Sequence, residues 1–332
     1  MKYFAYIFLL IISIAFFIII IYTPSSKTAQ SIKYGVTFSP TYTQSLGLDW
    51  KKTYLDILTD LKVRYLRLPT YWKEIEPEPN KYFFDDVDFM ISEAQKQGAK
   101  IIMVVGIKQP RWPECQPPNW AYDLSLKDRQ QKTLQMIKQV VRRYASSSAV
   151  VSWQVENEPL FAFGVRCDPP DRDFLRKEGA LVKSLDNRPV VITDSGEFRP
   201  WVTPMSASDI FGTTLYREAK HNLFGYIKYP ITSGFYSFKS NVIRSFFAPK
   251  NKKTIIAELQ TEPWSDRSLK ETPTDEQTKL FSAKHFKENV EFAKLTGFDE
   301  IYLWGVEWWY FMATQNHPEY LQYAKGLFET GK

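Results

Sequence analysis

Short apolar runs alternate with amphipathic segments along most of this 332-residue chain. Eight of the runs have the length of buried strands, at residues 34–38, 63–68, 100–106, 150–155, 189–193, 210–215, 254–258 and 300–305. Helical periodicity separates them, most clearly at residues 49–62, 128–144 and 274–296, the last opening with a Thr274-x-x-Gln277 capping-box pattern. Strands that alternate with helices predict a parallel sheet.

The number of strand–helix units sets the architecture. A (β/α)8 barrel, the TIM barrel of the α/β class, needs about 250 residues, and the chain beyond residue 33 supplies that length. An open doubly wound sheet is the alternative, but no Gly-x-Gly-x-x-Gly turn follows the first predicted strand. We therefore expect one closed barrel over residues 34–332, preceded by a polar linker at residues 23–33.

The N-terminal segment is unlike the rest of the chain. From Tyr3 to Tyr22 it carries no charge over 20 residues, enough for a helix to cross a bilayer. A cleaved signal peptide is the alternative, but its apolar region is usually shorter, and residues 23–30 offer no clear small-x-small cleavage site. We expect residues 1–22 to form a transmembrane signal-anchor that holds the barrel outside the cytoplasm, with a secreted protein as the alternative.

Composition narrows the classes of function. Aromatic residues make up 16% of the chain, which favours a carbohydrate groove, although an aromatic core would give the same figure. The net charge of +6 forms no long basic block, and no nucleic-acid-binding motif is present. The three histidines, His221, His285 and His317, are scattered, so we expect no metal and no cofactor. We also expect a monomer that binds no nucleic acid.

Two glutamates follow apolar runs at positions suited to chemistry. Glu158 lies in Asn157-Glu158-Pro159 after the fourth predicted strand, and Glu258 ends the seventh. Barrel enzymes carry their active sites at the C-terminal ends of the strands, so both carboxyls should reach one mouth. Two carboxyls in aromatic surroundings favour acid/base chemistry on a sugar.

The Asn-Glu-Pro motif, the late strand-end Glu258 and the segment around Arg67 resemble the retaining glycoside hydrolases of clan A. Family 5, the cellulase family, is the best-known branch of this clan. The resemblance implies that Glu158 is the acid/base and Glu258 the nucleophile. Glu262, four residues later, is the rival nucleophile, but Glu258 directly ends the apolar run.

The resemblance also implies roles in substrate binding. Asn157 would hydrogen-bond the sugar 2-hydroxyl, Arg67 would lie beside the nucleophile, and Tyr216 would donate to it. Trp304 would form the floor under the sugar that is cleaved. Trp112, in the loop after the third predicted strand, is a further candidate for a sugar subsite or for loop packing.

The chain departs from the family pattern at two places. Many family 5 members have Gly-Glu-Phe-Gly around the nucleophile, and here the segment is Ala257-Glu258-Leu259-Gln260. A histidine often precedes the sixth-strand tyrosine by two positions, and here that position is Thr214. These departures make membership of the clan firmer than membership of family 5.

The sequence also allows predictions about the partners of three other side chains near the mouth. Cys115 and Cys167 follow neighbouring strands, so a disulfide between adjacent loops is possible in an exported domain, with two free thiols as the alternative. Glu156 shares the strand phase of Glu158 and is expected to form an ion pair inside the barrel.

The sequence therefore predicts a membrane-anchored retaining glycoside hydrolase. It would cleave a β-linked oligo- or polysaccharide by double displacement with two glutamates. The alternatives are a transglycosylase on the same scaffold and a non-catalytic carbohydrate-binding barrel.

Overall fold

The computed structural model describes residues 29, 31–221, 225–249, 251–265 and 267–330. The predicted membrane segment, residues 3–22, lies outside this part of the chain. Within it, no helix combines the length and apolar character needed to cross a bilayer.

Eight parallel strands close into a barrel, as the sequence predicts. Around the barrel the order is β1, β2, β3, β4, β5, β6, β9 and β10, with β10 pairing back to β1. The remaining two strands, β7 and β8, form an antiparallel hairpin that follows β6. The strands are β1 (Lys33–Thr37), β2 (Tyr65–Pro69), β3 (Lys100–Val105), β4 (Val150–Val155), β5 (Val190–Asp194), β6 (Ile210–Leu215), β7 (Glu218–His221), β8 (Gly225–Lys228), β9 (Lys253–Gln260) and β10 (Glu300–Trp304).

Helices separate the strands and surround the barrel. In chain order they are α1 (Pro40–Ser45), α2 (Trp50–Thr59), α3 (Trp72–Ile75), α4 (Asp85–Lys96), α5 (Asn119–Tyr122), α6 (Leu126–Tyr144), α7 (Arg172–Leu185), α8 (Val202–Ala207), α9 (Ser233–Phe247), α10 (Thr274–Leu280), α11 (Ala283–Lys294), α12 (Val306–Thr314) and α13 (Glu319–Thr330). Several begin at a capping side chain: Asp49 accepts hydrogen bonds from two backbone N–H groups at the start of α2.

The prediction of a single helix at residues 274–296 is wrong. The segment forms two helices, α10 and α11. The capping box lies at Ser282 and His285, at the start of α11. Gln277 does not cap α10; its side-chain amide donates to the carbonyls of Leu269 and Thr272, each at 2.7 Å. Gln277 therefore binds the loop that precedes α10 and does not form the predicted capping interaction.

Apolar side chains fill two regions. The larger lies between the strands and the helices. The smaller is inside the barrel and contains Ile102, Val191, Ile255 and Tyr302. Side chains two residues apart on a strand share a face, so Arg67, two residues after the inward Tyr65, points into the mouth above this apolar layer.

The loops after β3 and β4 are covalently joined. Cys115 and Cys167 form a disulfide with Cα atoms 5.3 Å apart, so the predicted pairing is confirmed. This bond fixes the loop that carries Glu114 against the loop that follows Glu158.

We predict that Gly35→Ala lowers the free energy of unfolding by about 1–3 kcal/mol, because an added Cβ would lie 2.7 Å from the Tyr302 ring and from the Tyr65 carbonyl oxygen. Gly179→Ala is the matched control, since no heavy atom beyond its chain neighbours and the adjacent backbone of α7 lies within 4 Å of its Cβ position. It should raise stability by about 0.5–1 kcal/mol. Chemical denaturation measures both, and equal effects would contradict the tight fit at Gly35.

Candidate active site

Arg67 is the centre of the polar network in the mouth and is fully buried. Its Nη1 donates to Glu258 Oε1 at 2.8 Å, and its Nη2 donates to Asn157 Oδ1 at 2.6 Å. Nε donates to Gln154 at 2.7 Å, and Nη1 also reaches Thr37 at 3.3 Å. One guanidinium thus connects side chains from β1, β4, β9 and the loop after β4.

Glu258 lies in β9 with both carboxyl oxygens bound. Oε1 accepts from Arg67, and Oε2 accepts from the Tyr216 hydroxyl at 3.0 Å. Burial raises the pKa of Tyr216, and the charge of Glu258 raises it further, so the phenol keeps its proton and donates. The structure therefore brings Arg67, Tyr216 and Glu258 together, in the arrangement that the family resemblance implies.

Tyr216 is itself held by the loop after β5. Glu197 Oε1 accepts from the Tyr216 backbone N–H at 3.0 Å and from the Tyr236 hydroxyl at 2.6 Å. This contact ties the end of β6 to the preceding loop and to α9. It anchors the backbone of Tyr216, whose hydroxyl meets Glu258.

Glu158 has a different environment. Its backbone N–H donates to Thr193 at 2.9 Å, and its Oε1 accepts from the Thr214 hydroxyl at 3.0 Å. Burial raises the pKa of Glu158 well above its ordinary value, and the charge of Glu258 raises it further. Thr214, which stands where the family often has histidine, thus contacts this carboxyl.

Asn157 bridges the network to a third carboxyl. Its Nδ2 donates to Glu114 Oε2 at 3.1 Å, while its Oδ1 accepts from Arg67. Burial raises the pKa of Glu114 to about 8. Glu114 is not among the site residues predicted from the sequence. Its position next to Cys115 could have indicated a place at the site, because the disulfide brings this loop to the loop that follows β4.

Glu156 does not form the ion pair that was expected inside the barrel. It accepts backbone hydrogen bonds from Ile107, at 2.7 Å, and from Lys108, and its carboxyl hydrogen-bonds to Glu178 of α7. Burial raises the pKa of both Glu156 and Glu178, and the nearby charge of Glu156 raises the pKa of Glu178 further. A sequence pattern within β4 could not show this partner on α7.

A second cluster surrounds Arg111 in the loop after β3. Its guanidinium pairs with Glu262 and, at 2.5 Å, with Glu307, and lies between the rings of Tyr42 and Trp304. Burial raises the pKa of Glu262 to about 7. The rival nucleophile Glu262 is therefore tied to Arg111, whereas Glu258 meets Arg67.

The same cluster changes the expectation for Trp304. The Arg111 Cζ atom lies 4.1 Å from the Trp304 ring centre, so one face of the ring is covered. Only 8% of Trp304 is exposed. A sugar would therefore have to meet the opposite face or an edge of this ring.

Trp112 lies farther out and is 64% exposed. Its ring centre is 5.7 Å from that of Phe163 in the next loop. Nearby, the Lys108 ammonium donates to the carbonyls of Glu158, at 3.0 Å, and Phe161, at 2.8 Å. Trp112 thus belongs to the rim of the mouth, and Lys108 shapes the loop after β4.

The part of the chain with described coordinates contains no group of His, Cys, Asp or Glu side chains arranged to hold a metal ion. The inner mouth instead presents carboxyls, one guanidinium and hydroxyl groups. This set can donate and accept protons and hydrogen-bond a polyhydroxylated ligand.

Solved structures with similar folds include several glycosidases. A β-galactosidase from Halorubrum lacusprofundi has a TM-score of 0.57 and 14% identity, covering 82% of this chain and 52% of that chain. Endo-glycoceramidase II from a Rhodococcus species, in complex with ganglioside GM3, has 0.55 and 14%, covering 85% and 76%. An endo-β-1,4-mannanase from Thermotoga petrophila has 0.54 and 14%, covering 92% and 78%. These likenesses show a shared fold, and the chain spans about half the length of the β-galactosidase.

No curated protein matches the sequence. Residues 28–164, which include Arg67, Asn157 and Glu158, match the family model described as Cellulase (glycosyl hydrolase family 5). That match supports a glycoside hydrolase, and the barrel has the fold of the glycosidases above. Over residues 28–164, the predicted resemblance to glycoside hydrolase family 5 is therefore confirmed.

Proposed function

We propose that the protein is a retaining glycoside hydrolase that cleaves a β-linked oligo- or polysaccharide, with Glu258 as nucleophile and Glu158 as acid/base. The observation that carries this proposal is the contrast between the two carboxyls. Glu258 receives a guanidinium and a phenol, at 2.8 and 3.0 Å. Burial instead raises the pKa of Glu158, which favours its protonated form.

The first step of the proposed reaction forms a covalent intermediate. The Glu258 carboxylate attacks the anomeric carbon while the glycosidic C–O bond breaks, and the Glu158 proton passes to the leaving oxygen. The electrons of the broken bond remain on that oxygen. Arg67 and Tyr216 hold the attacking carboxylate in place.

The second step releases the sugar. Glu158, now ionised, takes a proton from a water molecule, which attacks the anomeric carbon and displaces Glu258. Retention by this route needs carboxyls about 5–5.5 Å apart, the separation we expect for Glu158 and Glu258. The sugar keeps its original anomeric configuration after two inversions.

Substrate recognition would use the residues around this pair. Asn157, oriented by Arg67 and Glu114, would hydrogen-bond the sugar 2-hydroxyl. The uncovered side of Trp304 would contact the ring of the cleaved sugar, and Trp112 would contact an outer unit. A β-linked substrate is supported by the likeness in fold to a β-galactosidase and an endo-β-1,4-mannanase.

We further propose that residues 1–22 anchor the barrel at the outer side of a membrane. The uncharged run from Tyr3 to Tyr22 motivates the anchor. The Cys115–Cys167 bond supports export, because disulfides persist in oxidising compartments. Fractionation of the full-length protein should recover it with membranes, whereas a soluble form that begins near residue 30 would show a cleaved signal peptide.

For the nucleophile, we predict that Glu258→Ala lowers turnover of aryl β-glycosides on the order of 10⁴-fold or more. Azide should restore turnover by occupying the space of the lost carboxyl, and the product should be the glycosyl azide of inverted configuration. Glu262→Ala is the matched control and should give no azide product. If Glu262→Ala lost turnover and azide restored it, while Glu258→Ala stayed active, the nucleophile would be Glu262 and not Glu258.

For the acid/base, we predict that Thr214→Val moves the alkaline limb of the activity–pH profile upward by about one pH unit. The Thr214 hydroxyl donates to Glu158 and lowers its pKa, so its loss raises that pKa and keeps the acid protonated to higher pH. Thr213→Val is the control, because the Thr213 hydroxyl donates to a backbone carbonyl instead. A downward shift, or equal shifts in both variants, would contradict the proposed role of Glu158.

A further inference from the structure

Five aromatic side chains form a continuous row at the rim of the mouth. Successive ring centres are 5.7, 5.7, 6.3 and 5.5 Å apart. We name this set the aromatic row, and its members in order are Trp112, Phe163, Phe161, Phe198 and Tyr229. They come from the loops after β3, β4 and β5 and from the segment after β8.

Much of the row faces solvent. Trp112 is 64% exposed, Phe198 60% and Phe163 38%. A contiguous exposed apolar patch on a soluble domain usually marks a binding site. The three central rings are phenylalanines, which offer no hydrogen-bonding group.

The neighbouring cation does not make the row polar. Lys108 Nζ lies 5.8 Å from the centre of the Phe161 ring, but it already donates to two loop carbonyls. The rings of Phe161 and Phe163 are within 13° of parallel, and those of Phe161 and Phe198 within 15°. The centre of the row is therefore a continuous apolar strip.

The row lies on the side of the mouth that would meet a leaving group. The acid/base protonates the leaving oxygen, so surfaces next to Glu158 and away from Glu258 contact the group that departs. The Phe161 backbone N–H donates to the Glu158 carbonyl at 2.9 Å, which starts the row within one turn of the acid/base. Glu258 comes from β9, three strands away around the barrel from β4.

A pocket of mixed polarity lies behind the row. It has a volume of about 350 Å³ and lies next to Phe161 and Phe163. Its wall combines Phe174, Leu175 and the Cys115–Cys167 disulfide with charged side chains, among them Lys108, Arg166, Asp168 and Asp171. Phe161 and Phe163 thus border both the open rim and this pocket. An extended apolar group could contact the strip and the apolar side of this pocket without crossing the inner mouth.

We propose that the apolar strip at the centre of the row, formed by Phe163, Phe161 and Phe198, binds an apolar aglycone, so that the substrates of this protein include glycosides whose leaving group carries an alkyl or acyl chain. This inference rests on the proposed function, because it takes Glu158 as the acid that faces the leaving group. Flexible hydrocarbon gains affinity from each methylene that leaves water. A continuous apolar strip with no polar group suits such a chain.

The test is a binding measurement on the full-length Glu258→Gln protein in detergent-free membranes or nanodiscs. Methyl, butyl and octyl β-glucosides, β-galactosides and β-mannosides are titrated below their micelle concentrations, and calorimetry gives each Kd. We expect octyl glycosides to bind about tenfold or more tightly than methyl glycosides. Adding Phe163→Ser and Phe198→Ser should reduce the octyl-to-methyl ratio, the factor by which octyl glycosides bind more tightly than methyl glycosides, to less than about threefold.

Two controls separate apolar binding from other effects. Phe246→Ser removes a phenylalanine that is 77% exposed at the end of α9, where the chain approaches the start of β9 at the opposite end of the barrel. It should leave the octyl-to-methyl ratio unchanged. Phe163→Leu with Phe198→Leu keeps hydrocarbon without rings, and it should retain most of the ratio.

Equal binding of octyl and methyl glycosides would overturn the inference. So would an octyl-to-methyl ratio that is unchanged in the double serine variant. Loss of affinity for β-linked oligosaccharides in that variant, without any effect of alkyl length, would make the row a set of sugar subsites instead. Because this assay needs no turnover, its failure leaves the nucleophile and acid/base untouched. Failure of azide rescue at Glu258 would instead contradict the proposed function.

Discussion

The buried pair of Arg67 and Glu258 is the interaction on which the mouth of this barrel depends. Arg67 is fully buried and its Nη1 lies 2.8 Å from Glu258 Oε1. Removing one partner of a buried ion pair typically costs about 3–5 kcal/mol, because the other charge is left unpaired. The remaining Arg67 donors bind Gln154 and Asn157, so this one side chain also holds in place the loop that carries Glu158.

Around this pair, similar side chains acquire different properties from their neighbours. Glu258 meets a guanidinium and a phenol, while burial raises the pKa of Glu158. Glu262 is paired with Arg111 instead, and Glu114 hydrogen-bonds to Asn157. The closed barrel makes this possible, since strands distant in sequence end at one mouth. Reactivity here is a property of the contacts and not of the residue type.

The barrel was predictable because buried strands and amphipathic helices leave periodic patterns in the sequence. The placements of Glu158, Glu258, Arg67 and Tyr216 followed because strand ends meet at the mouth. Side chains whose partners lie on other elements were not predictable. Glu114 and Arg111 sit in the loop after β3, which has no periodicity, and the partner of Glu156 is on α7. Likewise, a break near Ser282 divides the predicted last long helix.

The central claim is that Glu258, held by Arg67, becomes covalently bonded to the sugar. Incubation with a 2-deoxy-2-fluoro β-glycoside that carries a good leaving group should trap this intermediate, because the fluorine slows its hydrolysis. Glu258 and Glu262 fall in the same tryptic peptide, residues 254–267, so fragmentation mass spectrometry must assign the modified residue. The account predicts the added mass on Glu258, and mass on Glu262, or a turned-over substrate with no labelled peptide, would contradict it.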